Sequence, residues 1–143
     1  MYLPQLSIFL ENHPGSLKDA VDILAKNQIN IRALSLADTK DFGILRLIVD
    51  QPDKAYRVLH ENQFTTTVNE VIAVEIADHP GGLAAIIEVL NHHQINIEYM
   101  YAFLEKKGDN ALVVLRIENL DKAIAVLTQA GIEVLKKEML SSI

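Results

Sequence analysis

The sequence contains no cysteine and no tryptophan among its 143 residues. The lack of cysteine excludes disulfides, thiolate zinc sites, iron–sulfur clusters and cysteine nucleophiles. The chain also lacks an uncharged apolar stretch of about 18 residues, the length needed to span a bilayer, and its first residues lack the basic start of a signal peptide. We therefore expect a cytoplasmic protein with no membrane segment.

Positive charge is scarce as well. The chain has 13 Lys and Arg against 19 Asp and Glu, a formal net charge of -6, and no run of basic residues. Nucleic acid is therefore not expected as a partner, because binding it requires a positive surface along the phosphates. Apolar residues, in contrast, make up half of the chain, which is enough for a folded core.

The sequence repeats itself once. His13-Pro14-Gly15 recurs 66 residues later as His79-Pro80-Gly81, and the same shift carries Gln28-Ile29-Asn30-Ile31 onto Gln94-Ile95-Asn96-Ile97. Further on the shift becomes 68 residues, because two extra residues lie around Lys106-Lys107-Gly108-Asp109, a segment of turn composition. The repeat is long enough to indicate a duplicated domain.

Two domains are therefore predicted, at residues 1–69 and 70–143. In each copy an alternating pattern typical of a strand precedes a helical stripe, two more strands, a shorter helix and a last strand. This β-α-β-β-α-β order is typical of ferredoxin-like α+β sandwiches, in which the helices cover one face of an antiparallel sheet. The last strands are expected at about residues 65–69 and 132–140.

Buried residues can be predicted for the first strand and the first helix of each copy. Leu6, Ile8 and Leu10 alternate along the chain, which predicts one buried strand face. Each first helix is expected to bury a stripe at positions i, i+3, i+4 and i+7. The stripe consists of Leu17, Ala20, Val21 and Leu24 in one copy and of Leu83, Ile86, Ile87 and Leu90 in the other.

The turn after each first strand is the segment most suggestive of function. Its glycine lets the backbone approach another molecule, and the helix that follows offers free N–H groups to a carboxylate. Asn12 and Asp78 can offer a side-chain oxygen to an ammonium group, so each turn suits an α-amino acid. Alternatively, Asn12 and Asp78 are ordinary N-caps, and Asn30 and Asn96 are left-handed C-caps where the helices end.

Neither catalysis nor metal binding is indicated. His92 and His93 are consecutive, so they do not face one site on a helix, and no third ligand is suitably spaced. The sequence has no phosphate-binding loop, dinucleotide fingerprint or Ser/His/Asp constellation. We therefore expect a protein that is not an enzyme, with no catalytic residue, no cofactor and no metal.

The segment Asn-His-Pro-Gly-Ser-Leu, with Ile-Asn-Ile after it, resembles the ACT domain, a regulatory amino-acid-binding module of biosynthetic enzymes. The chain is similar to the regulatory domain of phosphoglycerate dehydrogenase and to the small subunit of acetolactate synthase. The resemblance implies βαββαβ units that pair side by side and bind amino acids at their interface. It implies ligand contacts for Asn12, Asn30, Asp78 and Asn96. The candidate site extends to their neighbours His13, Gly15, Ser16, Leu17, Ile31, His79, Gly81, Gly82, Leu83 and Ile97.

Two departures from the family's pattern bear on the ligand. Asp78 adds a negative charge that favours an ammonium group and repels a carboxylate. Leu10 and Ile76 stand where some serine-binding members have histidine, which argues against serine. We expect a homodimeric sensor of a small amino acid or, alternatively, a regulatory subunit that docks onto a separate amino-acid biosynthetic enzyme. Valine at Gly15 and Gly81 is expected to block the ligand with modest damage to the fold.

Overall fold

The computed structural model describes residues 2–38 and 41–142, which divide into two compact units. The first unit spans Pro4–Asn69, and the second comprises the described residues from Glu70 onward with those that precede Pro4. The described residues form six strands and four α-helices. The α+β class of tandem ferredoxin-like units is confirmed. None of the described helices is long and apolar enough to cross a membrane.

In the first unit, strand β3 (Phe42–Val49) lies between β1 (Leu3–Glu11) and β2 (Ile31–Asp38) and pairs antiparallel with both. Leu47 of β3 lies opposite Leu6 of β1 and opposite Leu34 of β2, which sets the register of the three strands. The elements in chain order are β1 (Leu3–Glu11), α1 (Ser16–Lys26), β2 (Ile31–Asp38), β3 (Phe42–Val49) and α2 (Pro52–Glu61).

Strand β4 (Thr65–Ala77) begins in the first unit and continues into the second. In the second unit β6 (Asn110–Ile117) lies between β4 and β5 (Ile97–Ala102) and pairs antiparallel with both. The remaining elements are α3 (Gly82–His92), β5 (Ile97–Ala102), β6 (Asn110–Ile117), α4 (Leu120–Gln129) and a 3-10 helix (Lys137–Ser142).

The buried face predicted for the first strand is confirmed. Leu6, Ile8 and Leu10 belong to the apolar core of the first unit, where each buried leucine or isoleucine contributes about 1.5–3 kcal/mol. Alternation did not predict that Ser7, on the opposite face, is buried too. Its hydroxyl donates a hydrogen bond to Asn69 Oδ1 at 3.1 Å, which offsets the cost of its burial.

The predicted helical stripe is confirmed at two of its four positions in each copy, because Ala20 and Leu24 in α1 and Ile86 and Leu90 in α3 are buried. Leu17 and Leu83 are 40% and 41% exposed, and Ile87 is also exposed, whereas Ser16 and Gly82 are buried at the helix starts. Each helix starts at Ser16 or Gly82, and the row i, i+4, i+8 from that residue faces the core. That row contains Ser16, Ala20 and Leu24 in α1 and Gly82, Ile86 and Leu90 in α3.

The last strand predicted over residues 132–140 is also wrong. Val134 forms an isolated antiparallel bridge with Val74, and the 3-10 helix follows it. Three consecutive charged residues at positions 136–138 break the alternation that a half-buried strand requires. Residues 65–69 are extended as predicted, but they form the start of the 13-residue strand β4 rather than a strand of their own.

Candidate functional site

The first turn joins β1 to α1. Gly15 is the N-cap of α1, with φ 95°, a left-handed conformation that favours glycine. The backbone N–H of His13 donates to Glu11 O at 2.9 Å. Because Gly15 is the N-cap of α1, the N-cap alternative for Asn12 is wrong. In the same way Gly81, with φ 90°, is the N-cap of α3 in place of Asp78.

The start of α1 leaves backbone amides available. The N–H of Asp19 donates to Gly15 O at 2.9 Å, but within the described chain no acceptor receives the N–H groups of Leu17 and Lys18. The side chain of Asn12 is exposed and has no hydrogen-bond partner among the described residues. The turn thus offers two donors at a helix N-terminus, which favours an anion, and a nearby amide oxygen.

A cleft of about 220 Å³ opens at this turn. Its apolar lining includes Leu36 of β2, which packs beside Gly43 of β3. A Cβ added at Gly43 would lie 3.5 Å from Leu36 Cδ1. A ligand of a few heavy atoms fits this volume, which is below the usual range for drug-sized ligands. The cleft is lined by Leu10, Glu11, Asn12, His13, Ser16, Leu17, Leu36 and Gly43.

The imidazole of His13 gives the cleft a titratable group. Its Nδ1 lies 3.0 Å from Pro14 O and its Nε2 lies 3.1 Å from Glu11 Oε2. The Pro14 carbonyl, and then the Glu11 carboxylate, raise the pKa of His13 above its usual 6.5. The turn therefore carries more positive charge near neutral pH than an ordinary histidine would give it.

Glu11, His13 and Ser16 together contain the side-chain types of a catalytic triad, which the sequence analysis did not bring together. Ser16 Oγ lies 3.1 Å from Nε2 and 3.2 Å from Nδ1 of His13. A general base needs one ring nitrogen free to accept the serine proton. Both nitrogens of His13 instead face acceptors, Pro14 O and the Glu11 carboxylate, so the arrangement favours an imidazolium over a base.

The second turn has the same backbone but different charges. The N–H of Ala85 donates to Gly81 O at 3.0 Å, and among the described residues no acceptor receives the N–H groups of Leu83 and Ala84. Asp78 forms an ion pair with Lys106, so the side-chain oxygen expected to receive a ligand ammonium group already has a cationic partner. As in the first turn, the histidine faces the following carbonyl, with His79 Nδ1 2.9 Å from Pro80 O.

A second ion pair lies beside the first. Lys107 Nζ is 2.6 Å from Glu75 Oε1, and Asn110 Nδ2 donates to Glu75 Oε2 at 3.1 Å. Lys107 lowers the pKa of Glu75 below its usual 4.5. Turn composition in the sequence places Lys106 and Lys107 in a turn and predicts no partner for either side chain. One feature of the sequence could have indicated the pairing. The second copy has two extra residues at this turn, and it also has Glu75 and Asp78 at positions where the first copy is uncharged.

Asn30 and Ile31 do not join the cleft of the first turn. They follow α1, whose 11 residues separate them from the turn by about 16 Å. The N–H of Asn30 donates to Asp50 Oδ1 at 3.0 Å. The left-handed residues at the ends of α1 and α3 are Gln28 and Gln94, each with φ 58°, so the C-cap alternative for Asn30 and Asn96 is wrong.

Asn96 lines a separate polar cleft of about 210 Å³ in the second unit, and Ile97 begins β5 beside it. At the corresponding place in the first unit, Lys54 Nζ donates to Asn27 O at 2.8 Å and Gln51 Nε2 donates to Gln28 O at 3.1 Å. The second cleft is lined by Gln94, Ile95, Asn96, Glu98, Ile117, Glu118, Asn119 and Lys122.

The expectation that valine at Gly15 and Gly81 causes only modest damage is wrong. An added Cβ finds nothing within 4 Å at either position, but both backbones have φ above 85°. A β-branched residue is strained in that conformation whatever the space around it.

Among the described residues no group of three metal-ligating side chains occurs.

A family model described as an ACT domain pair matches residues 1–143. The solved structure of protein BT0572 from Bacteroides thetaiotaomicron is 40% identical, with a TM-score of 0.93, over 100% of this chain and 98% of that one. The ligand-free regulatory subunit of aspartate kinase from Thermus thermophilus is similar in fold, with 16% identity, a TM-score of 0.61 and coverage of 89% and 91%. The subunit from Thermus flavus is similar too, with 15% identity, a TM-score of 0.58 and coverage of 90% and 92%. No curated protein matches this chain.

Proposed function

The chain belongs to the ACT domain pair family, and from that premise we propose that it is a non-catalytic sensor that binds a small amino acid and relays its occupancy to a partner. ACT domains are regulatory modules, and no catalytic family is indicated for this chain. The observation that carries the proposal is the first turn, where Leu17, whose N–H is free, the unpaired side chain of Asn12 and apolar residues line one small cleft.

Each part of an α-amino acid has a counterpart there. The N–H groups of Leu17 and Lys18 suit the carboxylate, because helix N-termini favour negative charge. The side-chain oxygen of Asn12 suits the ammonium group. The ligand's side chain would contact Leu10 and Leu36, and the volume of about 220 Å³ favours a small one.

We further propose that the ligand lies at an interface between ACT units. Asn12 and Asn30 are both candidate contacts, but the length of α1 separates them within one unit. A single amino acid that contacts a turn and an asparagine of the Asn30 type must therefore bridge two units. A homodimer is the simplest assembly that would multiply such interfaces.

Isothermal titration calorimetry against the standard amino acids tests this proposal. We expect at least one amino acid to bind and to raise the melting temperature, because a ligand that binds only the folded state stabilises it. Asn12→Ala should weaken that binding about tenfold to a hundredfold, since a hydrogen bond to a charged group contributes about 1.5–3 kcal/mol. Asn91→Ala, at an exposed asparagine on α3, is the matched control and should bind as the wild type does. If no amino acid gives heat or a melting shift, the sensor function is wrong.

The alternative function is that of a regulatory subunit on a separate amino-acid biosynthetic enzyme. Two separate observations favour it: Leu83 and Ile87 are exposed on α3, and an open cleft of about 540 Å³ lies between α3 and α4. This function predicts that the purified chain changes the amino-acid response of such an enzyme when the two are mixed. A chain that forms only a homo-oligomer and leaves that response unchanged would contradict it.

A further inference from the structure

The two turns differ in a coordinated way. Glu75 and Asp78 are acidic, whereas Phe9 and Asn12, which stand 66 residues earlier in the first copy, are uncharged. The second copy is also longer by two residues, and the extra length falls in the connection from β5 to β6 that contains Lys106-Lys107. At these two positions the second copy therefore has carboxylates that the first copy lacks, and it also has a lengthened basic connection.

The structure pairs these differences one to one. Lys106 contacts Asp78, and Lys107 Nζ lies 2.6 Å from Glu75 Oε1. The tip of the connection is a tight turn, because Lys107 N donates to Asn110 O at 2.9 Å and Asn110 N donates to Lys107 O at 3.1 Å. Gly108 at this tip has φ 62°, which suits a tight hairpin turn. The backbone of Lys107, which directly follows Lys106, is therefore held by two hydrogen bonds.

We propose that Lys106 competes with α-amino acids for the second turn, so that the two turns of one chain bind ligand unequally. This inference rests on the proposed function. In the first turn the side-chain oxygen of Asn12 has no partner among the described residues. In the second turn the carboxylate of Asp78, at the corresponding position, is already paired with the Lys106 ammonium group. A ligand at the second turn must displace the protein's own ammonium, and a ligand at the first turn need not.

The competition from Lys106 is weak enough for a ligand to overcome. The side chains of Lys106 and Asp78 are 59% and 46% exposed, so the pair is partly solvated. An exposed ion pair of this kind changes an equilibrium by about twofold to fivefold. The first turn is therefore expected to fill at lower ligand concentration than the second.

Amide NMR of the intact, ¹⁵N-labelled chain tests the inference, with each standard amino acid as the probe. The amides of Leu17 and Lys18 report on the first turn, and those of Leu83 and Ala84 report on the second. In the wild type we expect the first pair to shift at lower ligand concentration. In Lys106→Met the Kd at the second pair should fall about twofold to fivefold, while the first pair is unchanged.

Three further variants separate the ion pair from general effects on the fold. Lys106→Arg keeps the positive charge and should leave the Kd at the second turn as it is in the wild type. Asp78→Asn places the first turn's residue in the second turn and should bring the two Kd values together. Lys26→Met removes the charge of another exposed lysine, in the last turn of α1, and should leave the second turn unchanged.

The outcomes distinguish this inference from the function on which it rests. Wild-type Leu17 and Lys18 amides that respond to no amino acid would refute the proposed function at the first turn. Whatever happens there, the inference is overturned if Leu83 and Ala84 respond equally in the wild type and in Lys106→Met, including the case in which neither responds. A gain at the second turn in Lys106→Met, absent in Lys106→Arg, supports it.

Discussion

Gly82 provides a sharp test of how closely the backbone is packed at the second turn. A Cβ at this position would lie 2.0 Å from Ala77 O and 3.1 Å from Ala77 C, both of them backbone atoms. A contact of 2.0 Å forces the backbone to move. The hydrogen bond from Gly82 N to His79 O, now 3.0 Å long, would lengthen or break as a result.

The cost of Gly82→Ala can be worked out from these two effects. Overpacking contributes about 1–3 kcal/mol, and the lost hydrogen bond about 0.5–1.5 kcal/mol. We therefore expect the free energy of unfolding to fall by about 2–4 kcal/mol. For a chain of this length each kcal/mol lowers Tm by about 2–4 °C, which gives a fall of about 4–16 °C.

Chemical denaturation and thermal melting of three variants would check this prediction. Gly81→Ala has free space around its Cβ and is strained only by φ 90°, which costs about 1–2 kcal/mol. Ser16→Ala, at the position that corresponds to Gly82, keeps an existing Cβ and should cost less than either glycine variant. If Gly82→Ala is as stable as Ser16→Ala, the close approach to Ala77 is wrong.

Three further predictions concern charge and buried polar groups. Because Lys107 lowers the pKa of Glu75, the ion pair stabilises the fold above pH 4.5 and is lost as pH falls through the lowered pKa; Lys107→Met should therefore show a shallower loss of unfolding free energy on acidification. Because the pKa of His13 is raised, its positive charge is fully present below pH 6.5 and lost as pH rises through the raised pKa; ligand affinity measured by calorimetry should fall over that range and become flat in His13→Gln. Ser7→Ala removes the donor to Asn69 Oδ1 and should cost about 1–3 kcal/mol in urea unfolding, and an unchanged midpoint would contradict the importance of that bond.

Much of the local structure could be predicted from the sequence, because it depends on short-range patterns. Leu6, Ile8 and Leu10 share one strand face as predicted, and extended backbone begins at residue 65, where the last strand of the first copy was expected. The exposure of Leu17 could not be predicted in this way, since it depends on where the helix starts. A start at Ser16 turns a neighbouring row of side chains toward the core.

Contacts between distant residues were beyond the sequence patterns. Asp78 and Lys106 are 28 residues apart, and their pairing depends on the path of the connection between β5 and β6. The sequence indicated that both turns could receive a carboxylate, but the structure alone places Gly15 rather than Asn12 at the N-cap. It also separates Asn30 from the first turn by the length of a helix, which no periodicity in the chain expresses.

The left-handed glutamines have a consequence for how much stability the chain holds in reserve. Gln28, Gln63 and Gln94 all have φ near 60°, a conformation in which a residue with a side chain loses about 1–2 kcal/mol. Gly131 stands 68 residues after Gln63 and has φ 83°, so the protein already uses glycine at one of its helix ends. Replacing one of these glutamines with asparagine or glycine should recover part of that loss and raise the free energy of unfolding, without altering either turn.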